Sequence, residues 1–395
     1  MTAETGRTGP PWHYLDHAAS TPMRPEVLAA MVPALTDLHG NPSGSHALAR
    51  AARAVLDESR ERIASVVGCE AGEVIFTSGG TEADNLAVRG VHGARGGRVL
   101  CAASDHHAVL HVVDQLRGGV VPVDRRGIVD LDALAAALGP SVSLVSVALV
   151  NNEVGTIQPV DAIADVVRAT APGALLHVDA AQALCWIDLR HHAARADLIT
   201  LASHKCGGPR GIGALVARAG VTLEAQQVGG GQERERRSGT QDVAGALGFA
   251  VAAEAAAHER VGLAARAAVW RARLLEAVLV GVPGSIESAA PGADRDHLVA
   301  GIVNVCLPEV DSEALLFLLE HEHRVLASAA SSCASGAQDP SHVLASMGID
   351  RSLARGSLRL SLGWCTVEAD VDAGVDAVPH VASRLRAHAH GGAPA

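Results

Sequence analysis

A lysine in a glycine-rich turn is the residue whose surroundings most suggest covalent chemistry. The turn SHKCGGPRGIG, residues 203–213, places Lys205 directly after the apolar run DLITLAS. Partial burial lowers the pKa of a lysine amine and frees it as a nucleophile, so such a lysine can form a Schiff base with a carbonyl compound. An ordinary loop lysine is the alternative, and this segment alone does not decide between the two.

Two further segments could bind a cofactor that carries a ring nitrogen and a phosphate. Asp179 ends the apolar run in HVDAAQ, where it can face a pyridinium nitrogen or simply cap a helix. The turn SGGTEADN, residues 78–85, can offer a phosphate the backbone amides near Gly80 and the hydroxyl of Thr81. It lacks the glycine spacing of a dinucleotide site and the GK[ST] of a P-loop, which favours a monophosphate cofactor such as pyridoxal phosphate.

The cysteines predict one reactive thiol among structural ones. They form no CxxC pair and are odd in number, which argues against a disulfide framework or a zinc site. Cys333 lies in SAASSCASGAQDPSH, a loop of small residues that could expose a thiolate, although a small buried cysteine is the alternative. Cys206 adjoins Lys205 and is the rival, but packing is its better interpretation. The remaining thiols adjoin apolar runs and are predicted to lie in the core: Cys69, Cys101, Cys185, Cys306 and Cys365.

Short apolar runs alternate with alanine-rich stretches from residue 74 to about 217, which predicts an α/β domain with a mainly parallel sheet. The predicted strands are VIFT at 74, RVLCAAS at 98, LVSVALV at 144, LLHVDA at 175, DLITLAS at 197 and IGALVA at 212. Most candidate site residues follow these runs. Because ligands bind at the carboxyl ends of parallel strands, we expect these residues to share one site.

The pattern changes after Gly239, which indicates a second domain in a chain of 395 residues. A long helix over about 242–280 leads into two predicted strands, GIVNVCL and SLRLSLG, and two amphipathic helices. We predict a large cofactor-binding domain over 14–258 and a small domain over 259–395, which residues 1–13 could join. The small domain would carry the cysteine loop at about 327–340.

Composition and charge limit the kinds of molecule that the protein is expected to bind. The net charge of −11 disfavours direct nucleic-acid binding, and the longest apolar runs are too short to span a bilayer. The N-terminus has no apolar segment typical of a signal peptide, so a soluble cytoplasmic protein is expected. His106, His107 and His111 could share a helical face, but no carboxylate or thiolate stands at ligand spacing, so no metal is predicted.

The successive motifs resemble those of NifS/IscS-type cysteine desulfurases, which belong to the fold-type I, class V aminotransferase-like enzymes that use pyridoxal phosphate. The resemblance runs from about residue 14 to 385. It is carried by YLDHAASTP (14–22), GNPSGSH (40–46), VIFTSGGTEADNLAV (74–88), HHAVL (106–110), VNNEVGTIQP (150–159), HVDAAQAL (177–184), SHKCGGPRGIGAL (203–215), GGGQERERRSGT (229–240), SSCASGAQDPSHVL (331–344) and SLRLSLG (357–363).

The resemblance implies a role for each matching residue. Lys205 would bind the cofactor covalently and shuttle the Cα proton, Asp179 would pair with the pyridine nitrogen, and His106 would stack on the ring and assist proton transfer. The other implied positions are Gln182 and Asn152 near the phenolic oxygen; Gly80, Thr81, Ser203 and His204 at the phosphate, with Thr240 from the partner subunit of a homodimer; and Arg359 at the substrate carboxylate, with Asn41 nearby.

The implied activity removes sulfur from L-cysteine, releases L-alanine and leaves a persulfide on Cys333. That sulfur would pass to an acceptor protein for iron–sulfur cluster assembly or another thio-modification. Two positions depart from the usual pattern: Ala202 stands where many relatives have a phosphate-binding serine, with Ser203 adjacent, and Ala330 replaces a common glycine. A selenocysteine lyase or another enzyme of the same fold is the first alternative, and a noncatalytic scaffold is the second.

Overall fold

The fold is described from a computed structural model that covers residues 11–292, 294–329 and 341–390, without the side chains of 389 and 390. Cys333, Ala330 and most of the predicted cysteine loop at 327–340 lie outside these described residues. The chain begins with β1 (His13–Tyr14), α1 (Pro25–Asp37) and α2 (Ala47–Val67).

A seven-stranded sheet forms the centre of the fold, in the strand order β2-β8-β7-β6-β5-β3-β4. The strands β3 to β7 pair in parallel with one another, and β8 runs antiparallel to both of its neighbours, β2 and β7. The predicted mainly parallel α/β sheet is therefore confirmed. Their bounds are β2 (Val74–Thr77), β3 (Arg98–Ala102), β4 (Gly119–Val121), β5 (Val142–Ala148), β6 (Leu175–Asp179), β7 (Leu198–Ala202) and β8 (Gly213–Ala217).

Helices cover both faces of this sheet, so the side chains on both sides of each strand are buried. Continuous apolar runs are therefore favoured in these strands. Successive side chains of β2 show this division: Val74 and Phe76 pack in one core and Ile75 packs in another. The covering helices on the two faces and at the sheet edge are α3 (Gly80–Arg95), α4 (His107–Gln115), α5 (Leu131–Ala137), α6 (Val160–Thr170) and α7 (Leu189–His192).

The 39-residue helix α8 (Val243–Gly281) leads from the large sheet to a second, smaller core. That core packs against an antiparallel sheet of order β12-β10-β9, and it includes Leu15 from the N-terminal segment. Because α8 passes without a break through residue 258, the boundary between the two domains remains a prediction. The remaining elements are β9 (Ile286–Glu287), β10 (Ile302–Cys306), α9 (Ser312–His323), β11 (Val325–Leu326), α10 (His342–Ser346), α11 (Arg351–Ala354), β12 (Ser357–Ser361) and α12 (Glu368–His390).

The N-terminal segment joins the two parts of the fold. β1 pairs in parallel with β11, and the backbone of Asp16 bridges to Ser361 at the end of β12. A few residues further on, the backbone carbonyl of Ala18 accepts hydrogen bonds from Gln182 and Lys205, which belong to the large domain. Residues 13–19 therefore contact both sheets. No helix within the described parts of the chain is both long and apolar enough to cross a membrane.

A strained turn precedes α8. Glu233, Arg234 and Glu235 have φ angles of 48°, 57° and 62°, in the left-handed region that disfavours side chains with a Cβ atom. Glu233 is held there by a buried bidentate ion pair with Arg60, at 2.8 and 2.9 Å, and it accepts the Phe76 amide at 2.9 Å. Glu235 is exposed. Side-chain packing at Glu235 therefore does little to offset the free-energy cost of its positive φ angle.

Glu235→Gly should raise the free energy of unfolding by about 0.5–1 kcal/mol, because glycine adopts a positive φ without the Cβ clash. The measurement is chemical denaturation of the full chain. Glu235→Ala is the matched control: it removes the same carboxylate but retains the Cβ atom, so it should give no such gain. Equal stabilisation by both variants would mean that charge, and not backbone strain, is responsible.

Candidate active site

A cavity of about 210 Å³ lies at the carboxyl ends of the parallel strands. Eight of the residues predicted for the site line it: Gly80, Thr81, His106, Asn152, Asp179, Gln182, His204 and Lys205. They come from five separate stretches of the sequence, each beginning where a strand ends. The fold thus brings the main candidate groups together in one place.

Lys205 follows β7 in a short turn of 3-10 helix, and its side chain is largely enclosed. Its Nζ donates to the backbone carbonyls of Ala18 and Ala19, the latter at 3.0 Å. Burial, and then the positive charge of Arg359, lower the pKa of Lys205 to about 8. Lys205 is also the only lysine among the 395 residues of the chain. The chain therefore has a single side-chain primary amine, and that amine lies in this cavity.

Asp179 is the last residue of β6 and is 8% exposed. One carboxylate oxygen accepts the Ala181 amide at 2.9 Å. Burial raises the pKa of Asp179, while that amide and the charge of Lys205 act in the opposite direction. A cation held against this carboxylate would therefore be stabilised strongly, because little water competes for it.

Two buried acids near Asp179 were not singled out by sequence reasoning. Asp84, on α3, lines the cavity at 2% exposure, and its Oδ1 has no hydrogen-bond partner among the described residues. Burial, reinforced by the negative charge of Asp179, raises the pKa of Asp84. Asp105 accepts the Ala148 amide at 2.7 Å and the Ala102 amide at 3.2 Å, and burial raises its pKa to about 8. Asp84 occurs inside a quoted motif and Asp105 directly precedes one, but nothing in the sequence signals that they are buried together.

His106 caps the N-terminus of α4, where its Nδ1 accepts the Ala108 amide at 3.1 Å. Burial, and then the charge of Lys205, lower the pKa of His106 to about 4, so its ring is neutral at physiological pH. His107 contacts the rings of both His111 and His342, with centroids 4.8 and 4.3 Å apart. Within the described residues, no three His, Cys, Asp or Glu side chains form a cluster that could hold a metal ion.

The turn between β2 and α3 has the backbone geometry that could bind an anion at one end of the cavity. Gly79, at φ 153°, precedes the helix, and Gly80 and Thr81 form its first turn, where free backbone amides accumulate. Gly213 on the neighbouring strand allows this approach, because a Cβ atom there would lie 2.7 Å from the carbonyl carbon of Gly79. His204 lines the same cavity.

Several predicted residues lie off the cavity wall. Ser203 is fully buried and its hydroxyl has no hydrogen-bond partner among the described residues, whereas Ala202 lines the cavity. Thr240 and Asn41 are exposed, and Asn41 accepts the Ser43 amide at 2.9 Å within its own turn. Arg359 is 3% exposed and lies behind the wall, where its Nη1 donates to the carbonyl of Asn152 at 2.9 Å. The roles of these four residues remain predictions.

The described cysteines are poorly suited to nucleophilic chemistry. All six are buried or half-buried, and burial raises the pKa of each thiol. Cys206 is 1% exposed and its Sγ donates to the carbonyl of Ser203 at 3.1 Å. Its predicted packing role agrees with this burial. Cys333, the predicted reactive thiol, is outside the described residues.

Comparison with known proteins agrees with this geometry. Residues 13–373 match the family described as aminotransferase class-V. The chain belongs to that family. An IscS-like cysteine desulfurase of Mycobacterium tuberculosis is 43% identical, over 94% of this chain and 97% of that relative. A cysteine desulfurase IscS of Methanosarcina thermophila is 36% identical, over 94% and 92%.

Solved structures place this class-V protein among the same relatives. A NifS-like protein superposes with a TM-score of 0.87 at 31% identity, covering 95% of this chain and all of that one. A structure titled SspA in complex with cysteine superposes with a TM-score of 0.77 at 29% identity, covering 90% and 99%. The protein is thus a class-V, fold-type I member of the NifS/IscS-like cysteine desulfurases, as the sequence motifs predicted.

The residues of this class-V site fit pyridoxal phosphate. The sole lysine and a buried aspartate line one cavity, which suits an aldehyde and a ring nitrogen of the same molecule. The first turn of α3 offers backbone amides to a phosphate. Burial raises the pKa of both Asp179 and Asp84, and a cationic ring nitrogen bound beside them would favour their charged forms.

Capture of pyridoxal phosphate by Lys205 should depend on pH with a midpoint near 8. Below that pH the amine is protonated and cannot attack the aldehyde, so the rate should rise about tenfold per pH unit and then level off. Rapid-mixing absorbance measures the rate, and borohydride reduction with peptide mapping identifies the modified amine. Lys205→Arg is the control, since it leaves only the N-terminal amine. A rate that still climbs at pH 10 would contradict the lowered pKa.

Proposed function

We propose that the protein is a pyridoxal-phosphate-dependent cysteine desulfurase that converts L-cysteine to L-alanine and receives the sulfur as a persulfide on Cys333. The observation that carries the proposal is the enclosure of the only lysine of the chain in one cavity with Asp179 and His106. Identity of 43% with an IscS-like cysteine desulfurase over nearly the whole chain supports it.

The residues of the cavity would hold the cofactor at three points. Lys205 would bind its aldehyde carbon, Asp179 its ring nitrogen, and the first turn of α3 its phosphate. When bound, pyridoxal phosphate supplies the electron sink that acidifies the Cα–H bond of an attached amino acid and weakens its Cβ–S bond. Asp179 would stabilise the positive charge that this chemistry requires on the ring nitrogen.

Two basic groups would move protons beside the substrate. Lys205 would remove the Cα proton in its unprotonated form, and a pKa of about 8 makes that form much more abundant near neutral pH than it is for an ordinary lysine. His106 is neutral, so it can accept a proton from the substrate thiol or return one to Cβ.

The sulfur step would use Cys333. Its thiolate would attack the substrate sulfur, so that a sulfur–sulfur bond forms as the Cβ–S bond breaks, and the released electron pair takes a proton at Cβ to give the methyl group of alanine. The six described cysteines are poor substitutes, because burial raises the pKa of every one. The persulfide would then pass to an acceptor protein, for iron–sulfur cluster assembly or another thio-modification.

A homodimer would complete the site. Thr240 is exposed and does not line the cavity of its own chain, which suits a residue that reaches the phosphate of the partner subunit. Helix α1 also exposes Leu28, Val32 and Leu35, at 55, 49 and 63%, and their spacing places them on one face. We propose that a second copy of the chain covers this face.

The test is the stoichiometry of products from L-cysteine and a thiol reductant. Purified protein loaded with cofactor should form L-alanine and sulfide in equal amounts, and L-selenocysteine should be assayed in parallel. Production of pyruvate and ammonia instead would indicate elimination and would contradict the proposal. Turnover of selenocysteine alone would support the lyase alternative, and absence of both activities would favour a noncatalytic protein.

A further inference from the structure

A buried ion pair joins the N-terminal segment to the proposed substrate-binding arginine. Arg359 Nη2 lies 2.8 Å from Asp16 Oδ1, and the two side chains are 4% and 19% exposed. Arg359 also donates from Nη1 to the carbonyl of Asn152, while its Nε has no hydrogen-bond partner among the described residues. A guanidinium buried this deeply needs a counter-ion, and its Nε–H group remains available to another acceptor.

The backbone fixes Asp16 relative to the strand that carries Arg359. Ser361, two residues after Arg359, donates its amide to Leu15 at 2.7 Å, and its hydroxyl accepts the Ala18 amide at 2.8 Å. The hydroxyl of Tyr14 donates to the carbonyl of Asp16 itself at 3.1 Å. The carboxylate of Asp16 therefore has a defined position beside β12. Because the Arg359 guanidinium binds this carboxylate, its orientation is defined as well.

Other acidic groups do not replace this contact. Glu153 is buried near Arg359 and accepts a hydrogen bond from the Ser341 hydroxyl. Burial raises the pKa of Glu153 to about 7, so a substantial fraction of this carboxyl is neutral near physiological pH. Asp16 is the acid in direct contact with the guanidinium.

The guanidinium lies immediately behind the cavity. Asn152, whose carbonyl accepts from Arg359, lines the cavity together with Lys205. The charges of Arg359 and Asp16 both act on Lys205, the first lowering and the second raising its pKa. The pair therefore lies next to a residue of the cavity wall, and its charges reach the reactive amine.

We propose that Asp16 is a positioning residue for substrate binding: it holds the plane of the Arg359 guanidinium and offsets its charge, so that the free Nε–H edge receives the carboxylate of L-cysteine. This inference rests on the proposed function, since it assumes an amino-acid substrate. Because Asp16 acts through Arg359 and does not contact reacting atoms, it should affect the binding of substrate more than the chemical steps that follow.

The experiment compares Asp16→Asn and Asp16→Glu with the wild type, with kcat and KM for L-cysteine measured separately. We expect KM to rise about tenfold to a hundredfold in Asp16→Asn, with kcat within about threefold, because the guanidinium loses its fixed orientation. Asp16→Glu retains the charge but displaces it by one methylene, so a smaller rise is expected. Asp370→Asn is the matched control: Asp370 pairs with His13 of the same segment at 3.2 Å, whereas the ion-pair partner of Arg359 is Asp16.

Thermal unfolding of the full chain supplies a readout that does not depend on turnover. Asp16→Asn should lower Tm, since it leaves a buried cation without its counter-ion, and the double variant Asp16→Asn/Arg359→Met should lose no more than the larger single loss. An unchanged or lower KM in Asp16→Asn would overturn the proposal, as would a loss confined to kcat. If the wild type makes no alanine, the proposed function fails, while non-additive unfolding would still establish the ion pair.

Discussion

Lys205→Ala should abolish alanine formation from L-cysteine, with a loss of at least about 10³-fold. The variant removes the amine that binds the cofactor and the base that takes the Cα proton, and both functions depend on its lowered pKa of about 8. Because the chain has no other lysine, no neighbouring side-chain amine can replace it. The effect should therefore be larger than that of any other substitution among the described residues.

Two measurements identify the cause of that loss. Absorbance of the purified variant reports bound cofactor, and borohydride reduction followed by peptide mapping reports the covalent linkage, which should be missing from the 203–213 peptide. Lys205→Arg is the matched control, since it keeps a positive charge beside Asp179 without the nucleophile. Alanine formation at more than a tenth of the wild-type rate in either variant would show that Lys205 is not essential.

Cys333→Ala should eliminate sulfide release and the persulfide while leaving cofactor binding intact, a loss of at least about 10²-fold. The reason is the absence of a suitable substitute among the described thiols, all of which are enclosed and have raised pKa values. The measurement is mass spectrometry of the protein after one turnover without reductant, where the wild type should gain one sulfur atom and the variant none.

Two control variants test whether another thiol, and not Cys333, receives the sulfur. Cys206→Ala tests the rival beside Lys205, and Cys69→Ala tests a half-buried thiol elsewhere on the large domain. Both should retain the added sulfur atom and most of the activity. A Cys333→Ala protein that still releases sulfide at the wild-type rate would mean that sulfur leaves without a protein-bound persulfide, as a lyase mechanism requires.

Much of the fold was predictable from the order of apolar runs. All six strands predicted between residues 74 and 217 start within two residues of an observed strand, because strands buried on both faces require continuous β-branched and aliphatic residues. The sixth, at 212, begins one residue later as β8, but its antiparallel direction was not predictable from its composition. The edge strand β4 was missed, since Gly119 and its neighbours form a short, half-exposed run.

The candidate groups of the cavity could be predicted from the sequence, because residues such as Lys205, Asp179 and His106 end or follow predicted strands, and parallel strands end at one edge of the sheet. It could not show that Arg359 is paired with Asp16, because 343 residues separate them and only the N-terminal segment lying along β12 brings them together. It also could not show that Ala202, and not Ser203, faces the cavity, because that depends on the direction of the chain as it leaves β7. Residue types and local spacing therefore predict which chemical groups can reach the cavity. Burial and long-range pairing set the charge, orientation and solvent exposure of these groups, and both depend on the folded chain.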